Sequence, residues 1–390
     1  MMIGTIKFYY LSVGCRAVMH VRRVDCDSKP EVAYFVELPF ELYRDCAQWV
    51  PPMVSSEHLA LNRRKHPYYQ HSLAQFFMVE SNGKALGRIA VLENRNYNRH
   101  HSANSAFFGY FDVIDDVQAS AALFEAALDW AWRRGLDRVL GPRGLLGGEG
   151  GSVLVEGFEH RPAMGVPYNY PYYDRLITQA GFEKDTDFLS AHLNQTYDLP
   201  ERVRAIADKA RARRSFWVKS FQSKREIRQW LPRFLEAHQR AFFNNHTYYP
   251  PTSAEAAALV KTVMWVVDPQ LVKLIMCRDE IVGFVLGFRD LSAGLQRAGG
   301  RLWPLGWYHI LSERQRTRWI NLNGFGLVPE HRGLGADAVL LVTLDDTLRS
   351  TAYEHAYLVQ TEEGNVTMIN QALRLGITWC KRHRSYTRVL

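Results

Sequence analysis

The 390-residue sequence predicts an α/β protein of two tandem lobes, each a mixed, mainly antiparallel twisted sheet flanked by helices. Three observations carry this expectation. The length exceeds that of an ordinary single domain. The order hairpin, strand, helix, strand, helix, strand occurs once in each half of the chain. Each closing helix runs into a glycine followed by an apolar residue, Gly181-Phe182 and Gly376-Ile377, which is the signature of a left-handed C-cap.

In the first half, QFFMVES at 75–81 and ALGRIAVLE at 85–93 flank Asn82-Gly83-Lys84, and such runs around a short polar turn read as a hairpin. A strand at 107–113 follows. The helix expected next, over 117–134, repeats Ala122, Leu123, Ala126, Ala127, Trp130 and Ala131 at helical spacing. A strand at 137–140 and a helix at 172–180 complete the first unit. In the second half, VKLIMC at 272–277 meets IVGFVLG at 281–287 across Arg278-Asp279-Glu280. A strand at 319–327 leads into a helix over 335–349, with Val339, Leu340, Thr343, Leu344 and Thr347 on one face. A strand at 355–360 and a helix at 368–375 end the repeat. The duplication rests on element order, because the two halves share few identical residues.

The lobes are therefore expected at 19–198 and 241–390. Residues 199–240 read as a basic helical linker. Residues 1–18 read as an extension outside the fold: Lys7 interrupts a mildly apolar run and no signal cleavage site follows. The stretch 291–318 interrupts the second unit and contains Trp303-Pro304-Leu305-Gly306-Trp307-Tyr308 near basic residues. It suits a long packed loop, a ligand channel or a membrane-interface contact.

Composition narrows the class of protein. Hydrophobic residues at 47% and charged residues at 23% are ordinary for a globular chain and argue against disorder. A net charge of +8 favours an anionic partner such as a nucleotide-like cofactor, a lipid surface or a nucleic acid. The densest basic run, 202–214, is either a solvated linker helix or an anion-facing one; no nucleic-acid motif accompanies it, so nucleic acid is not the expected partner. Five scattered cysteines with no CxxC argue for a reducing, cytoplasmic compartment, against a disulfide framework and against a zinc site. His58, His66 and His71 lack ligand spacing, and no metal is expected. No apolar run is long enough to span a bilayer.

The segment GLVPEHRGLGAD at 326–337 joins a strand end to a helix start, with Arg332, Gly335 and Asp337 at the fixed positions of an R-x-x-G-x-G/A loop. It resembles motif A of the GNAT (GCN5-related N-acetyltransferase) superfamily. The closing segment NVTMINQALRLG at 365–376 is similar to that family's ending. The resemblance implies a splayed parallel strand pair in each lobe. It also implies that loop backbone amides hold the pyrophosphate of acyl-CoA, as glycines and a helix N-terminus allow. The positions it assigns to the cofactor are Leu327, Val328, Arg332, Gly333, Leu334, Gly335, Ala336, Asp337 and Asn365, with a backbone N–H at Leu327 or Val328 polarising the thioester.

Two departures matter. Asp337 replaces a glycine or alanine, either at the anion-binding helix start or as a carboxylate turned away from the ligand. Ala372 stands where the family commonly has the tyrosine that protonates the departing thiolate. In the first half, Ile114-Asp115-Asp116 replaces the loop, and two carboxylates there would repel a pyrophosphate; this lobe is expected to lack a cofactor site. The glycine-rich run at 144–151 lacks a Gly-Lys-Ser/Thr and reads as a flexible loop.

Segments at 42–52, 107–116, 155–158 and 167–182, together with the loop, resemble a bacterial double-GNAT subgroup linked to ceramide synthesis. That resemblance implies an acyl-CoA-dependent N-acyltransferase acting on an amine, including a long-chain sphingoid-type base, at the inner membrane face. Its partners would be acyl-CoA, an amine acceptor of lipid type and an anionic membrane surface. The alternative is a catalytically inactive GNAT-fold binding or scaffold protein. Glu362 and Glu363, just after the fifth strand, are the candidate bases, with solvated loop carboxylates as the plainer alternative. His246, Tyr248 and Tyr249 fall where the family binds acceptor, and Tyr248 is the candidate replacement for the missing acid.

Overall fold

A computed structural model describes residues 19–146 and 151–390. The expected extension at 1–18 and half of the glycine-rich run at 144–151, residues 147–150, lie outside the described residues. The chain folds into two compact units. One comprises Met1–Asp187, Ala298–Gly306 and Arg382–Leu390; the other comprises Phe188–Arg297 and Trp307–Lys381.

The first unit draws on strands β1 (Met19–Arg23), β2 (Leu73–Ser81), β3 (Lys84–Glu93), β4 (Ser105–Val113), β5 (Arg138–Gly141), β6 (Val153–Glu156) and the start of β7 (Glu183–Asn194). Its helices are α1 (Lys29–Leu42), α2 (Val54–Leu61), α3 (Arg95–His101), α4 (Val117–Trp132) and α5 (Tyr172–Gln179). The second unit contains α6 (Glu201–Arg214), β8 (Phe216–Ser220), α7 (Lys224–Phe242), α8 (Ser253–Val266), β9 (Val267–Cys277), β10 (Glu280–Arg289) and most of α9 (Ser292–Ala298). It continues with α10 (Gly306–Arg316), β11 (Trp319–Leu327), α11 (Ala336–Arg349), β12 (His355–Glu362), α12 (Val366–Arg374) and the start of β13 (Trp379–Val389).

Both expected hairpins form, β2–β3 with Phe77 opposite Ile89 and β9–β10 with Leu274 opposite Phe284. Their alternating apolar residues fill the cores, and every other expected strand and helix of the repeat is present within a few residues of its reading. Gly181 and Gly376 take positive φ (81° and 74°), so both helices end as their sequences indicate.

The two units share one strand order. The first runs β1-β2-β3-β4-β5-β13 and the second β8-β9-β10-β11-β12-β7. All neighbouring pairs with a recorded register are antiparallel except β4–β5 and β11–β12, which are parallel. The strand closing the first sheet is thus the C-terminal one, and the strand closing the second sheet is β7. Asp187 secures β13 to the first unit by accepting from Arg384 Nε (2.8 Å) and Arg382 Nη1 (3.1 Å).

Two stretches differ from their reading. Residues 199–240, expected to be helical throughout, are broken at Ser215, which adopts φ 55°, and continue as β8, the edge strand beside β9. The β-branched and aromatic run Phe216-Trp217-Val218 drives this, and a sheet edge was available to pair it. The stretch 291–318 is not a bare loop but carries α9 and α10.

In the second unit the sheet lies between two apolar layers. On one face α6, α11 and α12 cover Leu271, Ile275, Ile320 and Leu322; on the other, α7 and α8 cover Leu274, Met276 and Phe284. Each such side chain, fully buried, contributes about 1.5–3 kcal/mol. The first unit packs α4 and α5 on β2–β4 around Phe108, Phe111, Phe124 and Phe182.

Candidate functional site

The parallel pair β11–β12 opens along its length. Pairing joins Trp319–His355 through Leu322–Leu358, after which β11 continues to Leu327 with no strand partner on that side among the described residues. Gly324, at φ 123°, and a register shift between Val285 and Gly287 of β10 bend β11 away. The divergence leaves backbone groups facing a gap. Val328 N–H bonds Val282 carbonyl at 2.9 Å, so by antiparallel alternation the N–H of Leu327 points away from β10, toward that gap.

Beside the gap lies a small apolar cleft of about 70 Å³, walled mainly by β11, β12, α11 and α12. Phe325, Leu341, Leu344, Leu358, Met368 and Ala372 contribute to it. Sequence reasoning identified only Ala372 among these. The vacancy of a tyrosine was the available signal, since the other residues read as ordinary core.

The loop at 332–337 begins after a 3-10 turn, Pro329–His331. Gly333 (φ 71°) has, among the described residues, no atom within 4 Å of the place a Cβ would occupy. Gly335 (φ 88°) is the N-cap of α11, and no side chain caps that helix. A Cβ at Gly335 would sit 2.9 Å from Ala210 Cβ of α6, so both backbone conformation and close approach require glycine. The first N–H groups of α11, from Ala336 on, have no intrahelical acceptor and stand at the positive end of the helix dipole. Leu334 packs against the core and Ala336 is fully buried.

The side chains of this loop do structural work. Arg332 turns back, donating Nη2 to Ala241 carbonyl (3.1 Å) and Nε to Leu327 carbonyl (3.2 Å). Asp337 accepts from Gln371 Nε2 at 2.6 Å, which ties α11 to α12. Asn365 caps α12, accepting from Met368 N–H at 3.2 Å. The basic run at 202–214 is a packed helix: Val203, Ala207 and Ala210 are buried, and Arg204 pairs with Asp345 and Asp346 of α11.

Two residues far apart in the sequence meet at the end of β12. Glu362 Oε1 lies 3.0 Å from His246 Nδ1, on the segment that follows α7. Thr361 lines the cleft, so its neighbour Glu362 faces across the sheet. Glu363 is half-buried on the following turn. Tyr248 is half-buried near the His238 ring (6.1 Å between centroids), and burial raises its phenol above its ordinary value. Tyr249 is structural, donating to buried Glu255 at 3.0 Å.

The first unit carries the same geometry with its polar groups already satisfied. The pairing of β4 with β5 spans only Ser105–Arg138 to Phe107–Leu140, and Tyr110, at φ 49°, holds the place of Gly324. Val113 then corresponds to Leu327. Its N–H donates to Tyr173 Oη (3.1 Å) and its carbonyl accepts from Tyr172 Oη (2.8 Å). The Asp116 carboxylate caps α4, accepting from the N–H groups of Gln118 (2.8 Å) and Ala119 (2.9 Å). Among the described residues, no group of three or more His, Cys, Asp or Glu is arranged to hold a metal ion.

Two sheets of this order, each with a splayed parallel pair and one with a glycine-capped helix after the splay, define a tandem GNAT fold. A tandem GNAT protein from the clavulanic acid biosynthesis pathway superposes with a TM-score of 0.55 at 11% identity, over 95% of this chain and 98% of that one. In sequence, the chain is 26% identical to Protein YghO of Escherichia coli over 373 residues, 92% of this chain and 93% of that protein. It is 24% identical to the bacterial ceramide synthase of Caulobacter vibrioides over 372 residues, 92% of this chain and 95% of that protein. No protein-family model matches the chain.

Proposed function

We propose that the chain is an acyl-CoA-dependent N-acyltransferase with one reaction site, in the unit that contains β11 and β12. The observation that carries this reading is the splay of β11 from β12, flanked by the uncapped N-terminus of α11 and the apolar cleft. The pyrophosphate lies over Gly333 and Gly335 and accepts from the first N–H groups of α11. Arg213 and Arg214, one turn beyond Ala210, add positive charge near that end. The pantetheine arm enters the gap, and Leu327 N–H donates to the thioester oxygen as negative charge develops there.

The amine nitrogen attacks the thioester carbon, a C–N bond forms, and the C–S bond breaks to release CoA. His246 takes the amine proton, with Glu362 fixing its ring and stabilising the imidazolium. The departing thiolate is protonated by solvent or by a neighbouring phenol, because Ala372 supplies no acid. The vacancy at Ala372 instead enlarges the apolar cleft, which supports a long acyl group rather than acetyl. A long-chain amine of the sphingoid class is the acceptor suggested by the likeness to the Caulobacter enzyme. The first unit takes no CoA in this reading, because Tyr173 and Asp116 already occupy the corresponding donors.

The test is direct. Purified protein with a long-chain acyl-CoA and sphinganine should release free thiol and form the N-acyl product. Thiol release without dependence on any amine, or no product from any amine tried, would remove the proposal.

A further inference from the structure

Helix α10 has one face built into the fold. Ile310 is 1% exposed, and Glu313 is held by Arg297 of α9. The opposite face is apolar and open. Trp307, Tyr308 and Leu311 are 45%, 54% and 46% exposed, with the two rings 6.2 Å apart and Leu311 one turn along. The residues just before them in the chain are more open still, Trp303 at 80% and Leu305 at 63%. So many large apolar side chains in so short a run is unusual for a free surface.

Cations follow the apolar face. Arg314 and Arg316 end α10, and among the described residues neither is in an ion pair. Arg314 carbonyl accepts from Arg289 at 2.7 Å, which ties this helix end to the end of β10. At the start of α7, burial and then the field of nearby Arg314 and Arg228 hold the Lys224 ammonium below its ordinary pKa, with Asp268 acting the other way. Lys224 donates to the carbonyl of Trp265, itself 47% exposed. The patch therefore combines exposed tryptophan and leucine with Arg314, Arg316 and Arg228, none of which is in an ion pair among the described residues. Water is a poor counterpart for the first, and only an anionic surface answers the second.

We infer that the outward face of α10, with the rim formed by Arg314, Arg316 and Arg228, docks the protein on an anionic lipid surface. Tryptophan and tyrosine partition to the headgroup level, and leucine reaches the acyl boundary. The cations add attraction that fades within a Debye length. A second copy of this chain would offer the same cations and so repel, which makes it the poorer occupant. The inference stands on these side chains and not on the proposed reaction.

Co-sedimentation of the full chain with phosphatidylglycerol-rich vesicles tests it, with pure phosphatidylcholine vesicles for comparison. Binding should favour the anionic vesicles and weaken with salt. The Trp307→Ser/Leu311→Ser variant should bind about tenfold more weakly. The Arg314→Gln/Arg316→Gln variant should lose most of the preference for anionic over neutral lipid. Trp307, Leu311 and Arg316 are exposed and Arg314 is half-buried, and an unchanged thermal midpoint would establish that the fold is intact. Equal binding by wild type and both folded variants, or none by wild type, would overturn the inference. So would a wild-type dimer that the Trp307→Ser/Leu311→Ser variant converts to monomer.

Discussion

Replacing Gly333 by alanine separates a ligand loop from a merely tight turn, because the chain contains its own control. Gly333 has φ 71° and Gly83, in the β2–β3 turn, has φ 75°; neither has an atom within 4 Å of a built Cβ. In each, alanine meets only the left-handed backbone cost, about 1–2 kcal/mol. For a unit of this size that lowers the thermal midpoint by about 2–4 °C per kcal/mol. Calorimetric titration with CoA then distinguishes them. A methyl at Gly333 stands where the pyrophosphate must approach, and weakening one charged hydrogen bond there costs about 1.5–3 kcal/mol. That raises Kd by about 10–100-fold. Gly83→Ala should lose the same stability and bind CoA as the wild type does. Equal CoA affinity in the two variants would refute the placement of the pyrophosphate over this loop.

Three further outcomes follow from the geometry. Glu362→Gln and His246→Ala should each lower kcat by about 10²–10⁴-fold, the usual weight of a general base, while leaving CoA affinity unchanged; stopped-flow thiol release reads this. Ala372→Tyr should fill part of the cleft and shift acyl selectivity toward short chains. Each methylene that no longer finds apolar cover weakens the long-chain substrate by about 0.8 kcal/mol, which competition between acyl-CoA lengths measures. The third outcome concerns pH. Burial against Phe284 and Phe242 pulls His238 from 6.5 down to about 4. As pH falls, the unfolded chain takes up this proton first. The stabilisation is therefore complete above about pH 6.5 and is lost between there and about pH 4, up to about 3 kcal/mol. His238→Phe, followed by urea unfolding across that range, should flatten this part of the profile.

Local features were legible in the sequence and long-range pairings were not. Asn82-Gly83-Lys84 announces its hairpin because turn chemistry is a property of a few adjacent residues, and Gly181 and Gly376 end their helices for the same reason. Nothing local says that β13 completes the sheet of β5 while β7 completes that of β12; both are antiparallel partners, and the choice is tertiary. The strand at Phe216–Ser220 was hidden by the arginine-rich helix before it. In the site, Gly335 could be read from its motif. That Asp337 is spent on Gln371 could not, since the partner belongs to another helix. His246 and Glu362 were each singled out by position, yet only the fold brings them to 3.0 Å. The hydroxyls of Tyr172 and Tyr173 on Val113 were missed, because a tyrosine-rich segment reads equally well as core.

The central claim is that one CoA site exists, in the unit containing β11 and β12. The number of CoA molecules bound per chain tests it most directly. Isothermal titration of the full chain should give one site, abolished by Gly333→Trp and retained when Tyr173→Phe frees the N–H of Val113. A stoichiometry of two, or binding that survives Gly333→Trp in a folded protein, would contradict the account.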